Sequence, residues 1–107
     1  MNMNIGKMQK MLKQAQKAQS QMQAEIEALR VTGSAGGGVV TAMVDGQKNL
    51  LELKISAEAL EEPDPEMLAD LVLAAVSEAQ RSADEQVQEK MDSITGMLGM
   101  PGGMPGF

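Results

Sequence analysis

The stretch Val39-Val-Thr-Ala-Met-Val-Asp-Gly-Gln-Lys-Asn-Leu-Leu-Glu-Leu-Lys-Ile-Ser56 decides the fold. Val39 to Val44 is rich in β-branched residues and has strand propensity. Asp45-Gly46 is a hairpin signal. On the return strand, Asn49 to Ser56, residues Leu51, Leu53 and Ile55 alternate with Glu52, Lys54 and Ser56. Such alternation predicts one buried face and one wetter face. The centre of the chain is therefore an antiparallel hairpin.

A helix is predicted on each side of it. Upstream, Ile5, Met8, Leu12, Ala15, Met22, Ile26 and Leu29 recur at alternating steps of three and four, with Gln19 in the remaining place. That is a heptad seam on one helix from residue 4 to about 30. Its length, roughly 40 Å, exceeds what a compact domain of this size needs, so part of it is expected to project. Val31-Thr-Gly33 reads as the helix stop, and Gly33 to Gly38 as a turn-rich connector. Downstream, Ala57 to Asp64 is an acidic connector. Asp64-Pro65-Glu66 then supplies an N-cap, a first-turn proline and a first-turn acid. The second helix runs to about Ile94 or Leu98, with an apolar line through Leu68, Val72, Val76, Ala79, Ala83, Val87, Met91 and Ile94. The fold class is α+β: a long N-terminal helix, a small hairpin-based antiparallel sheet and a long C-terminal helix. Residues 1–98 form one domain, and the Met/Pro/Gly-rich residues 99–107 are expected to be a flexible tail.

Composition narrows function. With 107 residues the core is thin, so association is expected. The chain has eleven Met, no Cys, no His and one aromatic residue, Phe107. It thus lacks thiolate chemistry, the commonest general base and the commonest metal ligand. No Ser-Lys spacing suggests nucleophilic catalysis, and no enzyme activity, cofactor or small-molecule substrate is expected. Gly36-Gly37-Gly38 is not a phosphate loop, because a strand follows it and no Lys-Ser/Thr is present. Glu61, Glu62, Asp64 and Glu66 lack calcium-loop spacing, and capping already accounts for acids at a helix start. No metal site is expected. The longest apolar run, Leu71 to Val76, is far short of a membrane span, so a soluble cytoplasmic protein without a membrane partner is expected.

One positive signal remains. The net charge is -6, yet the first 24 residues carry Lys7, Lys10, Lys13 and Lys17 and no acid. At 100° per residue, Lys10, Lys13 and Lys17 cluster within about 60° and Lys7 lies beside them. Met8, Leu12 and Ala15 fall on nearly the opposite side. A row of lysines can neutralise phosphates, although most such rows are only solvated helix faces. Without aromatics there is no platform on which to stack single-stranded bases. Backbone-led, weakly specific contact with double-stranded DNA fits best.

The order of elements resembles the YbaB/EbfC family of nucleoid-associated DNA-binding proteins. The resemblance rests on Met11-Leu-Lys-Gln-Ala-Gln16, Val31-Thr-Gly33, Gly36 to Val40, Asp45-Gly46 and Leu53 to Ser56. It continues in Glu66-Met-Leu-Ala-Asp-Leu-Val72, Ala74-Ala75, Ala79, Glu89-Lys-Met91, Thr95-Gly96 and Pro105-Gly106. It implies a tweezer-like homodimer whose sheets join at the centre, binding double-stranded DNA in the nucleoid through projecting helices. By position, the DNA-binding residues implied are Lys7, Lys10, Lys13 and Lys17, with Arg81 and Lys90 from the last helix. The chain departs from the family pattern at Ser77-Glu78, where relatives often carry Asn-Asp, and in the acidity of its last helix. The competing reading is a protein-interaction or chaperone-like module with helical arms and a Met-rich grip.

Overall fold

A computed structural model describes residues 4–97, with side chains to Ser93. The order is α1 (Ile5–Ala28), β1 (Val31–Ala35), β2 (Val40–Val44), β3 (Leu50–Ile55), a short 3-10 turn (Ala57–Leu60) and α2 (Pro65–Met97). The strands form one antiparallel sheet in the order β1-β2-β3. The expected tail and Leu98 lie outside the described residues.

The α+β class stands, but the sheet has one strand more than the hairpin reading predicts. Val31-Thr-Gly33 does not simply stop the helix. It begins β1, which pairs with β2 from Val31↔Val44 to Ala35↔Val40. Gly36, Gly37 and Gly38, all at positive φ, make the turn with Val39. Gly33 hides the strand, since glycine weakens strand propensity. Here it is required by close approach: a Cβ on Gly33 would lie 2.6 Å from the Ala75 carbonyl oxygen.

The core is small. Val31, Val40, Ala42, Val44, Ala75, Ala79 and Ala83 are its buried apolar residues. α2 lies across β1 and β2 through its alanine line, which lets helix and sheet approach closely. Within the single chain the predicted apolar face of β3 is not covered: Leu51 and Leu53 are 44% and 38% exposed. The reason is width. One helix about 10 Å across covers two strands spaced about 4.8 Å apart, and β3 is the third. A register shift at Met43/Val44, opposite Leu50 to Glu52, adds a local irregularity.

The caps follow the sequence. Asn4 Oδ1 accepts from Gly6 N at 2.9 Å at the start of α1. Asp64 Oδ1 accepts from Met67 N at 3.2 Å at the start of α2. The radius of gyration is 20.5 Å, against about 13 Å for a compact chain of this length. The molecule measures 75 × 28 × 16 Å, and the projecting α1 accounts for much of that length.

Candidate nucleic-acid interface

α1 buries none of its residues; only Met22 and Ile26 within it are half-buried, near its C-terminal end. Its base is held by the β2–β3 loop. Gly46 N donates at 3.0 Å to the Ile26 carbonyl, which also accepts from the Leu29 N–H at 3.2 Å at the end of the helix. A Cβ on Gly46 would overlap that same oxygen. The loop is organised by Asp45, whose Oδ1 accepts from Gln47 N at 2.9 Å and Asn49 N at 3.0 Å. Asp45 Oδ2 accepts from Asn49 Nδ2 at 3.1 Å. The Asn49 backbone N–H chiefly holds this carboxyl below its ordinary range. The Asn49 side chain, the Gln47 N–H and the Arg30 charge add to the effect, and burial opposes it. The Asp-Gly pair thus has a second use: positive φ falls on Lys48, at 70°, while Gly46 gives α1 room to dock.

Beyond this joint α1 stands in solvent. Lys7, Lys10, Lys13 and Lys17 are all exposed. None of the four makes an ion pair among the described residues. From Lys7 to Lys17 the row is about 15 Å long, which matches the axial rise of about four phosphates on one DNA strand.

The two other predicted site residues are placed apart from this row. Lys90 Nζ is 3.2 Å from Glu25 Oε1 and ties α2 to the base of α1. Glu25 is about 12 Å along the helix from Lys17. Arg81 is exposed, about 13 Å further along α2 and on the side of α2 away from the alanine line. The structure therefore groups four lysines and leaves Lys90 and Arg81 outside the group. Part of the acidity of α2 has internal partners. Glu78 Oε2 accepts from Ser34 N at 3.3 Å, and Asp84 Oδ1 is 3.1 Å from Lys48 Nζ. The first contact holds β1 to α2, at the position where the chain departs from the family pattern.

Two features escape the sequence reading. The docking role of Gly46 is one; Asp45 with Asn49 four residues later was its only trace. The other is the tip of α1, where Ile5, Met8, Met11 and Leu12 form an apolar patch 71%, 48%, 60% and 60% exposed. The heptad seam marks three of these residues as packing positions, yet among the described residues nothing covers them. Among the described residues there is no His/Cys/Asp/Glu cluster able to hold a metal, and no helix long and apolar enough to cross a membrane.

Residues 2–98 match the profile of the YbaB/EbfC DNA-binding family. The chain belongs to this family. A nucleoid-associated protein of Clostridium perfringens is 50% identical over 101 residues, covering 92% of this chain and 90% of the relative. A nucleoid-associated protein of Clostridium acetobutylicum is 45% identical over 103 residues, covering 94% and 92%. One from Saccharopolyspora erythraea is 46% identical, covering 94% and 89%. Among solved structures, an uncharacterized protein of Helicobacter pylori shares the fold with a TM-score of 0.67. It is 23% identical, and the match covers 91% of this chain and 99% of that one. The YbaB/EbfC resemblance of the sequence is thereby established, and so is its arrangement of two long helices flanking a small antiparallel sheet.

Proposed function

We propose that this YbaB/EbfC protein is a homodimer that binds double-stranded DNA with low sequence specificity and acts in nucleoid organisation or gene regulation. It works by binding rather than by catalysis, in the cytoplasm and nucleoid, with no small-molecule substrate or membrane partner. The observation that carries the reading is the free lysine row on the projecting arm. Lys7, Lys10, Lys13 and Lys17 are exposed and mutually aligned, and none makes an ion pair among the described residues. Arg81 is a secondary contact. Lys90 reaches DNA only when its pair with Glu25 opens. Nucleoid-associated relatives of near-full length support the same partner.

The open side of β3 supports the dimer. β3 is an edge strand whose Leu50, Leu51 and Leu53 are 48%, 44% and 38% exposed. An uncovered edge of this kind invites pairing with another chain. Pairing β3 with its copy would join two sheets and bring eight lysines into one assembly.

The test is binding to random duplex DNA as a function of salt, by fluorescence anisotropy. Neutralising about four phosphates gives a log–log slope near -3.6. Lys10→Glu/Lys13→Glu/Lys17→Glu is expected to flatten the slope and abolish binding while helicity stays intact. Unchanged affinity would sink the reading. The exposed apolar tip of α1 favours the rival, a chaperone-like arm. Suppression of a client's aggregation, with no duplex binding at low salt, would decide for it.

A further inference from the structure

We infer that the groove at the start of α2 receives the apolar tip of α1 from a second copy of this chain, end to end. The groove has a volume of about 620 Å³ and an apolar floor of Met67, Leu68 and Leu71. Met67 is 59% exposed. Its rim carries Glu58, Glu61 and Glu62, none of which makes an ion pair among the described residues.

The tip of α1 has the complementary character. Ile5, Met8, Met11 and Leu12 form its apolar side. On the helical wheel Lys7 and Lys13 stand about 60° to either side of Lys10, so they are the lysines nearest that side. A tip seated by its apolar side places Lys7 and Lys13 at an acidic rim. Lys10 and Lys17 still face outward.

The occupant has to come from another molecule. The base of α1 is fixed by the Gly46–Ile26 hydrogen bond and the Glu25–Lys90 pair. From that joint the tip is about 30 Å away along α1, and the groove about 37 Å away along α2. Those two lengths together account for most of the 75 Å extent, so tip and groove lie at opposite ends. A contact between unlike ends is heterologous: each copy leaves one tip and one groove free, and assembly continues. On a shared duplex, under the DNA reading above, such contacts join neighbouring molecules.

The experiment is sedimentation velocity on the full chain across a concentration series at low salt. Wild type is expected to form species larger than its smallest unit, growing with concentration and dissolving at high salt, where the rim charges are screened. Glu61→Lys/Glu62→Lys and, separately, Met8→Glu/Met11→Glu are each expected to weaken assembly by about tenfold or more. Met67→Glu provides a second groove variant, and circular dichroism confirms that each variant folds. Mixing the groove variant with the tip variant is expected to restore one tip–groove contact, seen as a 1:1 complex of the two variants' smallest units that neither forms alone, since one supplies intact tips and the other intact grooves. Wild type that never exceeds its smallest unit, a groove variant that assembles like wild type, or a mixture that fails to form this complex would each overturn the proposal. The dimer reading is scored separately by the smallest unit at high salt: a monomer there refutes the dimer and leaves the end-to-end contact standing.

Discussion

Replacing Gly33 with alanine tests how the sheet meets α2. Gly33 lies in β1 opposite Ala42 and is buried. A Cβ there would be 2.6 Å from the Ala75 oxygen and 2.9 Å from Ala79 Cα, and would overlap Ala79 N. All three are backbone atoms of one helix, so no side chain can rotate out of the way. Reaching ordinary contact requires α2 to withdraw by about 1 Å, and a gap of that size forfeits a quarter to a half of each van der Waals well it opens. Among the described residues, the buried residues of the core come from β1, β2 and α2, the elements that meet here. Overpacking of this kind costs about 3 kcal/mol, offset by up to about 1 kcal/mol from the lower unfolded-state entropy of alanine. The net loss is about 2 kcal/mol or more, a large part of a small domain's stability. With an m-value of about 1.5 kcal/mol/M, a loss of about 2 kcal/mol lowers the urea midpoint by about 1.3 M. The assay is urea unfolding followed by circular dichroism at one fixed protein concentration, because association shifts apparent stability. Gly37→Ala is the control: its φ is 72° but a Cβ there meets nothing within 4 Å, so only the left-handed backbone cost of about 1 kcal/mol applies. A Gly33→Ala midpoint within about 0.3 M of wild type would refute the close-approach argument.

Two further outcomes concern the loop and the sheet edge. The Asp45 carboxyl is held below its ordinary 3.8, so it adds stability that is fully present above that pH and is lost as the pH falls through the lowered value. Asp45→Asn should therefore be less stable than wild type at neutral pH, with the difference shrinking on acidification below 3.8; a pH-independent difference in melting temperature contradicts this. Leu51→Glu/Leu53→Glu places charge on positions already 44% and 38% exposed, so each chain should fold yet sediment as a monomer at high salt, where end-to-end contacts are dissolved; a persisting dimer there removes β3 from the interface.

Much of the architecture was legible because it is local. The three-and-four spacing from Ile5 to Leu29 gives α1, and Asp64-Pro65-Glu66 gives the start of α2. Alternation from Leu51 to Ser56 gives β3. β1 was not legible, because Gly33 looks like a helix stop when read with its neighbours alone. Only the presence of Ala75 and Ala79 above it explains a glycine inside a strand. The lysine row was equally local, since Lys7, Lys10, Lys13 and Lys17 share one helix and helical geometry alone aligns them. Their separation from Lys90 was not, because that depends on where two helices meet.

The sequence by itself therefore determined the elements, the sign of their charge and the face each lysine occupies. Those properties follow from periodicity within a single segment. Tertiary structure decided which apolar residues are covered. α2 is wide enough for two strands, so Leu51 and Leu53 stay open within the chain, and among the described residues α1 is held at its base, so its seam meets solvent. Burial depends on what lies opposite a residue in space, and a pattern along one chain does not specify that.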